Sequence, residues 1–208
     1  MFNVCWACGE YSEAKEIDPS GPFAICPRCG HRHPFRRLPL FVVTGPSGAG
    51  KTAVCQLLAP RLERVVVLEM DILWGHVRAE PEDDYRSYKS TWLRVAMNVG
   101  QAGRPVVLCG TVQPGSLERL TEARYFAAVH YLALVCAEEE LARRLRARPA
   151  WRQSDADEFV ARMIAFNRAL RSAPATIMDT TGLAAEETSR RVAAWVRERL
   201  ALPRSSTP

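Results

Sequence analysis

The stretch Leu40-Phe-Val-Val-Thr44-Gly45-Pro-Ser-Gly-Ala-Gly50-Lys51-Thr52 decides the fold of this chain. Its first five residues form an apolar run rich in β-branched side chains, which is typical of a buried strand. The pattern Gly45-x4-Gly50-Lys51-Thr52 follows at once, and a helical pattern begins at Lys51. The stretch therefore predicts a strand, a glycine-rich loop and a helix in direct succession.

The residue types in this loop are those that bind phosphate. Glycines allow the backbone to form a nest of N–H groups, and the helix N-terminus adds partial positive charge. Lys51 is expected to reach the β- and γ-phosphates of ATP, and the Thr52 hydroxyl to bind Mg²⁺. A plain turn between strand and helix is the alternative, which the complete motif in this context disfavours. The predicted nucleotide-binding residues are Gly45, Pro46, Ser47, Gly48, Ala49, Gly50, Lys51 and Thr52.

Strands and helices alternate on the C-terminal side of the loop. Apolar runs predict further strands at 65–69, 105–109, 128–135 and 176–180. Helical patterns cover 51–62, 85–102, 138–146, 157–171 and 185–200. Continuous apolar strands that alternate with helices indicate an α/β fold, in which helices cover both faces of a parallel sheet.

The N-terminal 37 residues are rich in glycine and proline and too short to build a core unaided. Cys5-x2-Cys8-x17-Cys26-x2-Cys29 offers four thiolates at the spacing of a zinc ribbon. We expect all four cysteines to bind one Zn²⁺ in a closed, structural site, although iron also suits four thiolates. The predicted domains are a ribbon over 1–37 and a second domain over 38–203, followed by a disordered tail over 204–208.

Residues 38–203 resemble the nucleoside-monophosphate-kinase-like group of P-loop kinases, which includes shikimate kinase, gluconate kinase and chloramphenicol phosphotransferase. The resemblance rests on four stretches: the loop 45–52, Glu69-Met-Asp71, Leu108-Cys-Gly110-Thr, and Leu141-Ala-Arg-Arg144-Leu-Arg-Ala-Arg148-Pro149. It implies a P-loop NTPase sheet of five parallel strands in the order 2-3-1-4-5 and a mobile lid at about 146–157. It also implies transfer of the γ-phosphate of ATP to a small molecule.

The resemblance also assigns roles to individual side chains. Arg144 corresponds to an arginine that stacks on adenine, and Arg148 to one that contacts the transferred phosphate. A solvated basic helix face is the alternative for this run of arginines. Lys51, Asp71 and Arg148 are the predicted catalytic residues.

The acidic pair after the second strand of this domain matches the family pattern only in part. Shikimate kinase-like enzymes have Asp-x-Asp here, and this chain has Glu69-Met70-Asp71. Asp71 matches the second acid, which could accept the acceptor's proton or hold a water on Mg²⁺. Asp71 could instead cap a helix that starts near Ile72. The role of Glu69 is left open.

Composition leaves the phosphate acceptor open. The net charge of +5 comes mainly from the middle of the chain, so it does not require a polynucleotide partner. The sequence has neither an apolar run of about 18 residues nor a signal-peptide pattern, which predicts a cytoplasmic protein without a membrane span. The leading hypothesis is a kinase of a nucleotide, nucleoside, sugar or related metabolite. A polynucleotide kinase whose ribbon holds RNA and a non-catalytic ATP-binding module are the alternatives, and the oligomeric state is not predicted.

Overall fold

The computed structural model describes residues 3–201, so the predicted disordered tail lies outside the described residues. The eight strands in this range are β1 (Glu16–Asp18), β2 (Phe23–Ile25), β3 (Arg32–Pro34), β4 (Leu40–Thr44), β5 (Val66–Glu69), β6 (Val106–Cys109), β7 (Val129–Val135) and β8 (Thr176–Asp179). The five α-helices in it are α1 (Lys51–Leu58), α2 (Arg86–Gln101), α3 (Glu138–Arg146), α4 (Asp157–Arg171) and α5 (Ala185–Ala201). No helix between residues 3 and 201 has the length and apolar composition that a membrane span requires.

The central sheet has five parallel strands in the order β5-β6-β4-β7-β8. Counted from the strand before the glycine-rich loop, this is the order 2-3-1-4-5, and the prediction is confirmed. β7 and β8 pair in parallel, from Leu132 opposite Thr176 to Val135 opposite Asp179. A parallel sheet of this kind needs crossover connections. α-Helices lie in three of the four: α1 between β4 and β5, α2 between β5 and β6, and α3 with α4 between β7 and β8. The connection between β6 and β7 contains a 3₁₀ turn over Thr121–Tyr125.

Alternate side chains of the sheet face two different helical layers. Leu132 and Leu134 pack in a cluster with the buried residues of α1 and α5. Ala133 and Val135, which point to the opposite face of the strand, pack against Leu170 of α4. Helices therefore cover both faces, as predicted, and each fully buried leucine contributes roughly 1.5–3 kcal/mol.

Two predicted helix boundaries are wrong. α1 ends at Leu58 and a single 3₁₀ turn follows over Ala59–Arg61, because Pro60 lacks the N–H that would continue the helix. The segment after β5 is one 3₁₀ turn, Met70–Leu73, rather than a helix that starts near Ile72. Asp71 lies inside this turn, so it does not cap a helix at Ile72.

The chain divides into two compact units. Within the described residues, one contains 3–40 together with 70–106 and 115–129, and the other contains 41–69, 107–114 and 130–201. Residues 1–37 therefore do not separate as a unit of their own, and the domain boundary at 37/38 stays a prediction. The second unit holds the central sheet with α1, α3, α4 and α5.

The N-terminal segment forms a small antiparallel sheet in the order β1-β2-β3. It packs on other parts of the first unit through polar contacts. The Tyr125 hydroxyl donates to the Glu13 carbonyl oxygen at 2.7 Å and accepts from the Lys15 N–H at 3.1 Å. Arg94 of α2 pairs with the Glu13 carboxylate at 2.6 Å. These contacts explain why the segment clusters with α2 and with residues 115–129.

Candidate active site

The glycine-rich loop leaves the fully buried strand β4 and ends at the first residue of α1. A Cβ atom at Gly45 would lie 2.6 Å from the Leu134 carbonyl oxygen, so no larger residue fits there. Gly48 and Gly50 have φ angles of 90° and 95°, a left-handed conformation that costs glycine little. The glycines at these positions are therefore required by the shape of the loop.

Lys51 and Thr52 begin α1, and their side chains lie in defined positions. The Lys51 ammonium donates to the carbonyl oxygens of Gly45 and Pro46, at 2.9 and 3.0 Å. The Thr52 hydroxyl donates to Glu69 Oε1 at 2.6 Å. The ammonium is thus held against the loop itself, and a hydroxyl and a carboxylate oxygen meet at the carboxyl end of β5.

The segment after β6 is hydrogen-bonded to the end of β4 and to the start of the loop. The Thr44 hydroxyl donates to the Val112 carbonyl oxygen at 2.7 Å and accepts from the Val112 N–H at 3.0 Å. Thr111 donates through its hydroxyl to the Gly45 carbonyl oxygen at 3.3 Å. The carboxyl ends of β4 and β6 are therefore held together, at the sheet edge where ligands bind in open α/β folds.

A contact that the sequence did not predict joins α4 to the loop. The Ser47 backbone N–H donates to the thioether sulfur of Met163 at 3.3 Å. Met163 packs on a small apolar cluster that includes Leu141 and Leu145 of α3. The two helices between β7 and β8 thus support the loop, and no sequence motif marks this methionine.

The two predicted arginines lie at and after the end of α3. The half-buried Arg144 donates to Glu140 Oε1 at 2.7 Å and to the Thr180 carbonyl oxygen at 3.3 Å. Its guanidinium is therefore held beside the turn that follows β8. The half-buried Arg148 lies in the connection between α3 and α4 that contains the predicted lid, with its N–H donating to the Leu145 carbonyl oxygen at 3.3 Å.

Asp71 lies in the other compact unit, with its side chain exposed. Its backbone carbonyl oxygen accepts from the Trp74 N–H at 3.0 Å. Trp74 packs edge-on against the ring of Tyr88, whose hydroxyl donates to the Met70 carbonyl oxygen. The short turn that carries Asp71 is thus anchored on α2, while its carboxylate faces solvent.

The four N-terminal cysteines converge. The sulfur atoms of Cys5, Cys8, Cys26 and Cys29 all lie within 4.8 Å of one another, with Cys5–Cys29 at 3.6 Å and Cys8–Cys26 at 3.7 Å. A tetrahedral zinc site with Zn–S bonds of about 2.3 Å places sulfur atoms about 3.8 Å apart. The arrangement of these thiols therefore fits one metal ion.

Two equivalent turns position the thiols. The Gly9 and Gly30 N–H groups donate to the carbonyl oxygens of Cys5 and Cys26, and both glycines have left-handed φ angles, 74° and 73°. Burial alone would raise the pKa of the Cys26 thiol, but backbone N–H groups of Cys29 and Arg28 and the neighbouring thiols lower it to about 6. A thiolate, the form that binds metal, is thus stabilised within the cluster.

Comparison with known proteins identifies a family and several similar folds. The AAA domain family matches residues 42–163, more than half of the chain. No curated protein matches the sequence. One similar solved structure is the tunicamycin resistance protein of Deinococcus radiodurans, with 20% identity, coverage of 77% of this chain and 96% of that chain, and a TM-score of 0.58.

Two further similar structures are those of kinases. A sugar kinase from Janibacter sp. HTCC2649 has 17% identity, coverage of 77% of this chain and 95% of that chain, and a TM-score of 0.52. The APS kinase of Mycobacterium tuberculosis has 17% identity, coverage of 79% and 99%, and a TM-score of 0.51. The resemblance to the P-loop kinases is therefore confirmed for the fold.

Proposed function

Because this chain belongs to the AAA domain family and has the fold of the P-loop kinases, we propose that it is an ATP-dependent phosphotransferase. It moves the γ-phosphate of ATP to a hydroxyl or phosphate group of a small molecule. The observation that carries the proposal is the arrangement of Lys51, Thr52 and Glu69 at the glycine-rich loop. The names of the sugar kinase and the APS kinase support phosphoryl transfer to a small molecule.

The loop residues Gly45–Thr52 hold the nucleotide phosphates through their backbone N–H groups at the start of α1. Lys51 exchanges its two carbonyl partners for oxygens of the β- and γ-phosphates. Thr52 and Glu69 hold Mg²⁺, since a hydroxyl and a carboxylate are ligands that this ion prefers. When bound there, Mg²⁺ supplies positive charge that offsets the charge of the phosphates.

The two arginines serve the nucleotide and the transferred group. Arg144 stacks on the adenine, because Glu140 and the Thr180 carbonyl oxygen hold its guanidinium beside the turn after β8. Arg148 contacts the transferred phosphoryl group, where a planar guanidinium can donate two hydrogen bonds to phosphate oxygens. Asp71 accepts the proton of the acceptor hydroxyl. Its exposed carboxylate on an anchored turn suits this role.

The ribbon is proposed to be a structural zinc site. The four thiols lie close enough together to bind one metal ion. Four protein ligands fill a tetrahedral site, so no position is left for a catalytic water or substrate. Iron remains the alternative metal, because four thiolates suit both ions.

No observation favours the polynucleotide alternative. Arg28 of the ribbon pairs with Glu10 at 3.5 Å, and Arg32 pairs with Asp18 at 2.5 Å. The ribbon has four arginines that could form a basic face for nucleic acid, Arg28, Arg32, Arg36 and Arg37, and acidic groups offset the first two of them. The non-catalytic alternative is tested by the same experiment as the kinase.

The test is transfer of labelled γ-phosphate from ATP to a panel of nucleosides, nucleotides, sugars and sugar acids, with and without RNA. Lys51→Ala should lower transfer by at least ~100-fold, because the variant removes the ammonium that is held in position to stabilise charge on the transferred phosphate. Arg190→Gln, an exposed change on α5, is the matched control and should keep full activity. Wild-type turnover by Lys51→Ala would overturn the proposal, and transfer to RNA alone would favour the polynucleotide alternative.

A further inference from the structure

An open pocket of about 320 Å³ lies in the first compact unit, where the start of α2 meets the segment after β6. Its volume is in the range of pockets that hold small molecules. Charged and hydroxyl side chains dominate its lining. Those that the argument uses are Glu82, Asp83, Asp84, Lys89, Ser116 and Arg119.

One carboxylate in this pocket bridges two cations. The Lys89 side chain is only 6% exposed, and its ammonium lies 2.8 Å from Asp84 Oδ1. Arg119 lies 3.3 Å from the other oxygen of the same carboxylate. An ammonium has three donors and a guanidinium five, so one carboxylate leaves donors of both groups available to a further oxygen.

Ser116 is a second, independent sign of a ligand. The residue is 2% exposed and lines the pocket, yet its hydroxyl has no hydrogen-bond partner within residues 3–201. A buried hydroxyl without a partner is costly, and such groups in native proteins are few. The hydroxyl oxygen is itself buried, so a rotation of the side chain toward the pocket would bring it to a ligand oxygen and complete its hydrogen bonding.

The start of α2 adds positive potential at the same place. Asp84 and Tyr85 precede the helix in consecutive left-handed conformations, with φ angles of 49° and 55°, which non-glycine residues seldom adopt. The N-cap residue Tyr85 makes no side-chain capping bond. The first N–H groups of α2 therefore remain available to an anion.

We propose that this pocket binds a small hydroxylated molecule through one anionic group, a phosphate or a carboxylate. Lys89, Arg119, Ser116 and the first turn of α2 bind the anionic oxygens, and Asp84 holds the two cations in place in the free protein. Glu82 and Asp83 accept hydrogen bonds from the hydroxyl groups and repel a bare anion. We also propose that this molecule is the phosphate acceptor of the kinase. That second step rests on the proposed function, whereas binding to the pocket does not.

The first experiment is calorimetric titration of the full chain, without nucleotide, with glucose 6-phosphate, gluconate and glucose. These probes share a six-carbon polyol and differ in their charged group. The two anionic probes should bind at least ~10-fold more tightly than glucose, since hydrogen bonds to charged groups are the stronger ones. Equal affinity for all three, or binding of none at millimolar concentrations, would overturn the proposal.

Two variants distinguish a ligand-binding role of Lys89 from an Asp84–Lys89 ion pair that only stabilises the fold. Lys89→Met should weaken binding of the anionic probe at least ~10-fold. Asp84→Asn should tighten that binding, because asparagine tolerates the left-handed backbone while removing the internal carboxylate that competes for the cations. The same variant should lower the melting temperature of the free protein, since the buried ammonium loses its partner.

Arg190→Gln is again the control and should leave binding unchanged. A purely structural Asp84–Lys89 pair predicts that Asp84→Asn weakens or abolishes binding, and that result would overturn the proposal even where Lys89→Met does not fold. Since these titrations contain no nucleotide, the pocket can fail while phosphate transfer is still observed, and the reverse also holds.

Discussion

At the residue scale, the two acids after β5 occupy different surroundings. Glu69 is half-buried and accepts from the Thr52 hydroxyl at the start of α1. Asp71 is exposed on a single 3₁₀ turn. A carboxylate beside the phosphate-loop threonine suits a metal ligand, whereas an exposed one on an anchored turn suits a base that meets the acceptor. We therefore propose that Glu69 binds Mg²⁺ and that Asp71 accepts the proton of the acceptor.

This assignment predicts different kinetics for the two isosteric variants. Glu69→Gln should raise the Mg²⁺ concentration for half-maximal transfer by about 10–100-fold. Mutations around a metal site usually weaken metal affinity by this factor. Asp71→Asn should lower kcat by roughly 10²–10⁴-fold while the Kd of ATP stays unchanged. Steady-state kinetics with Mg²⁺ titration and nucleotide calorimetry measure both effects. Full activity of Asp71→Asn would mean that the catalytic base lies elsewhere.

At the element scale, α2 is tied to the ribbon through one guanidinium. Arg94 contacts the Glu13 carboxylate at 2.6 Å, the buried Glu122 at 3.0 Å and the Tyr11 hydroxyl at 3.3 Å. Hydrogen bonds from Arg94, and then from Tyr11, hold the pKa of Glu13 below its usual value of 4.5. A depressed carboxylate pKa stabilises the folded state at pH values above the unfolded pKa, and this stabilisation is lost as the pH falls through the folded pKa.

The contact of Arg94 with Glu13 should therefore be visible in the pH dependence of stability. Arg94→Met should be less stable than the wild type at pH 7, and the difference in free energy of unfolding should shrink below pH about 4.5 as Glu13 is protonated. Urea unfolding of both proteins between neutral and acidic pH measures this difference. Arg94→Lys, which keeps the charge but not the planar fork, should lie between them. A difference that stays constant with pH would contradict the role of Glu13.

At the scale of the whole molecule, the chain combines a sheet-centred unit with a unit that contains the ribbon, α2 and residues 115–129. The sheet-centred unit has a large apolar core that includes Phe41, Leu58 and Trp195. The ribbon has strands of only three residues each, so its buried apolar surface is small. Metal ligation can supply the folding free energy that such a short segment lacks.

The protein should accordingly contain about one Zn²⁺ per chain, and a chelator should unfold the ribbon, since structural zinc contributes on the order of 10 kcal/mol in zinc-finger peptides. Cys26→Ala should lose the metal and lower the melting temperature. Cys136→Ala changes an equally buried cysteine outside the cluster and should keep the metal. Elemental analysis and thermal unfolding measure both properties. Metal-free wild-type protein with four reduced thiols would contradict the zinc site.

The sequence by itself determined the features whose signals are local. The loop at 45–52, the five apolar strands of the central sheet and the cysteine spacing each depend on residues close together along the chain. Apolar runs predicted the strands of that sheet to within a residue or so at each end. The resemblance to P-loop kinases then predicted the strand order, which the structure confirms.

Only the tertiary structure decided which distant side chains meet. Thr52 and Glu69 are 17 residues apart, and Glu13 and Tyr125 are 112 residues apart. The pocket joins Asp84 and Lys89 to Arg119, although the rest of α2 and the strand β6 separate them in the sequence. Such pairs depend on how helices and strands pack, and packing is set by the summed burial of many side chains rather than by any local pattern. For this reason the sequence located the glycine-rich loop and the four clustered cysteines, while the partner of Glu69 and the polar pocket became visible only in the folded chain.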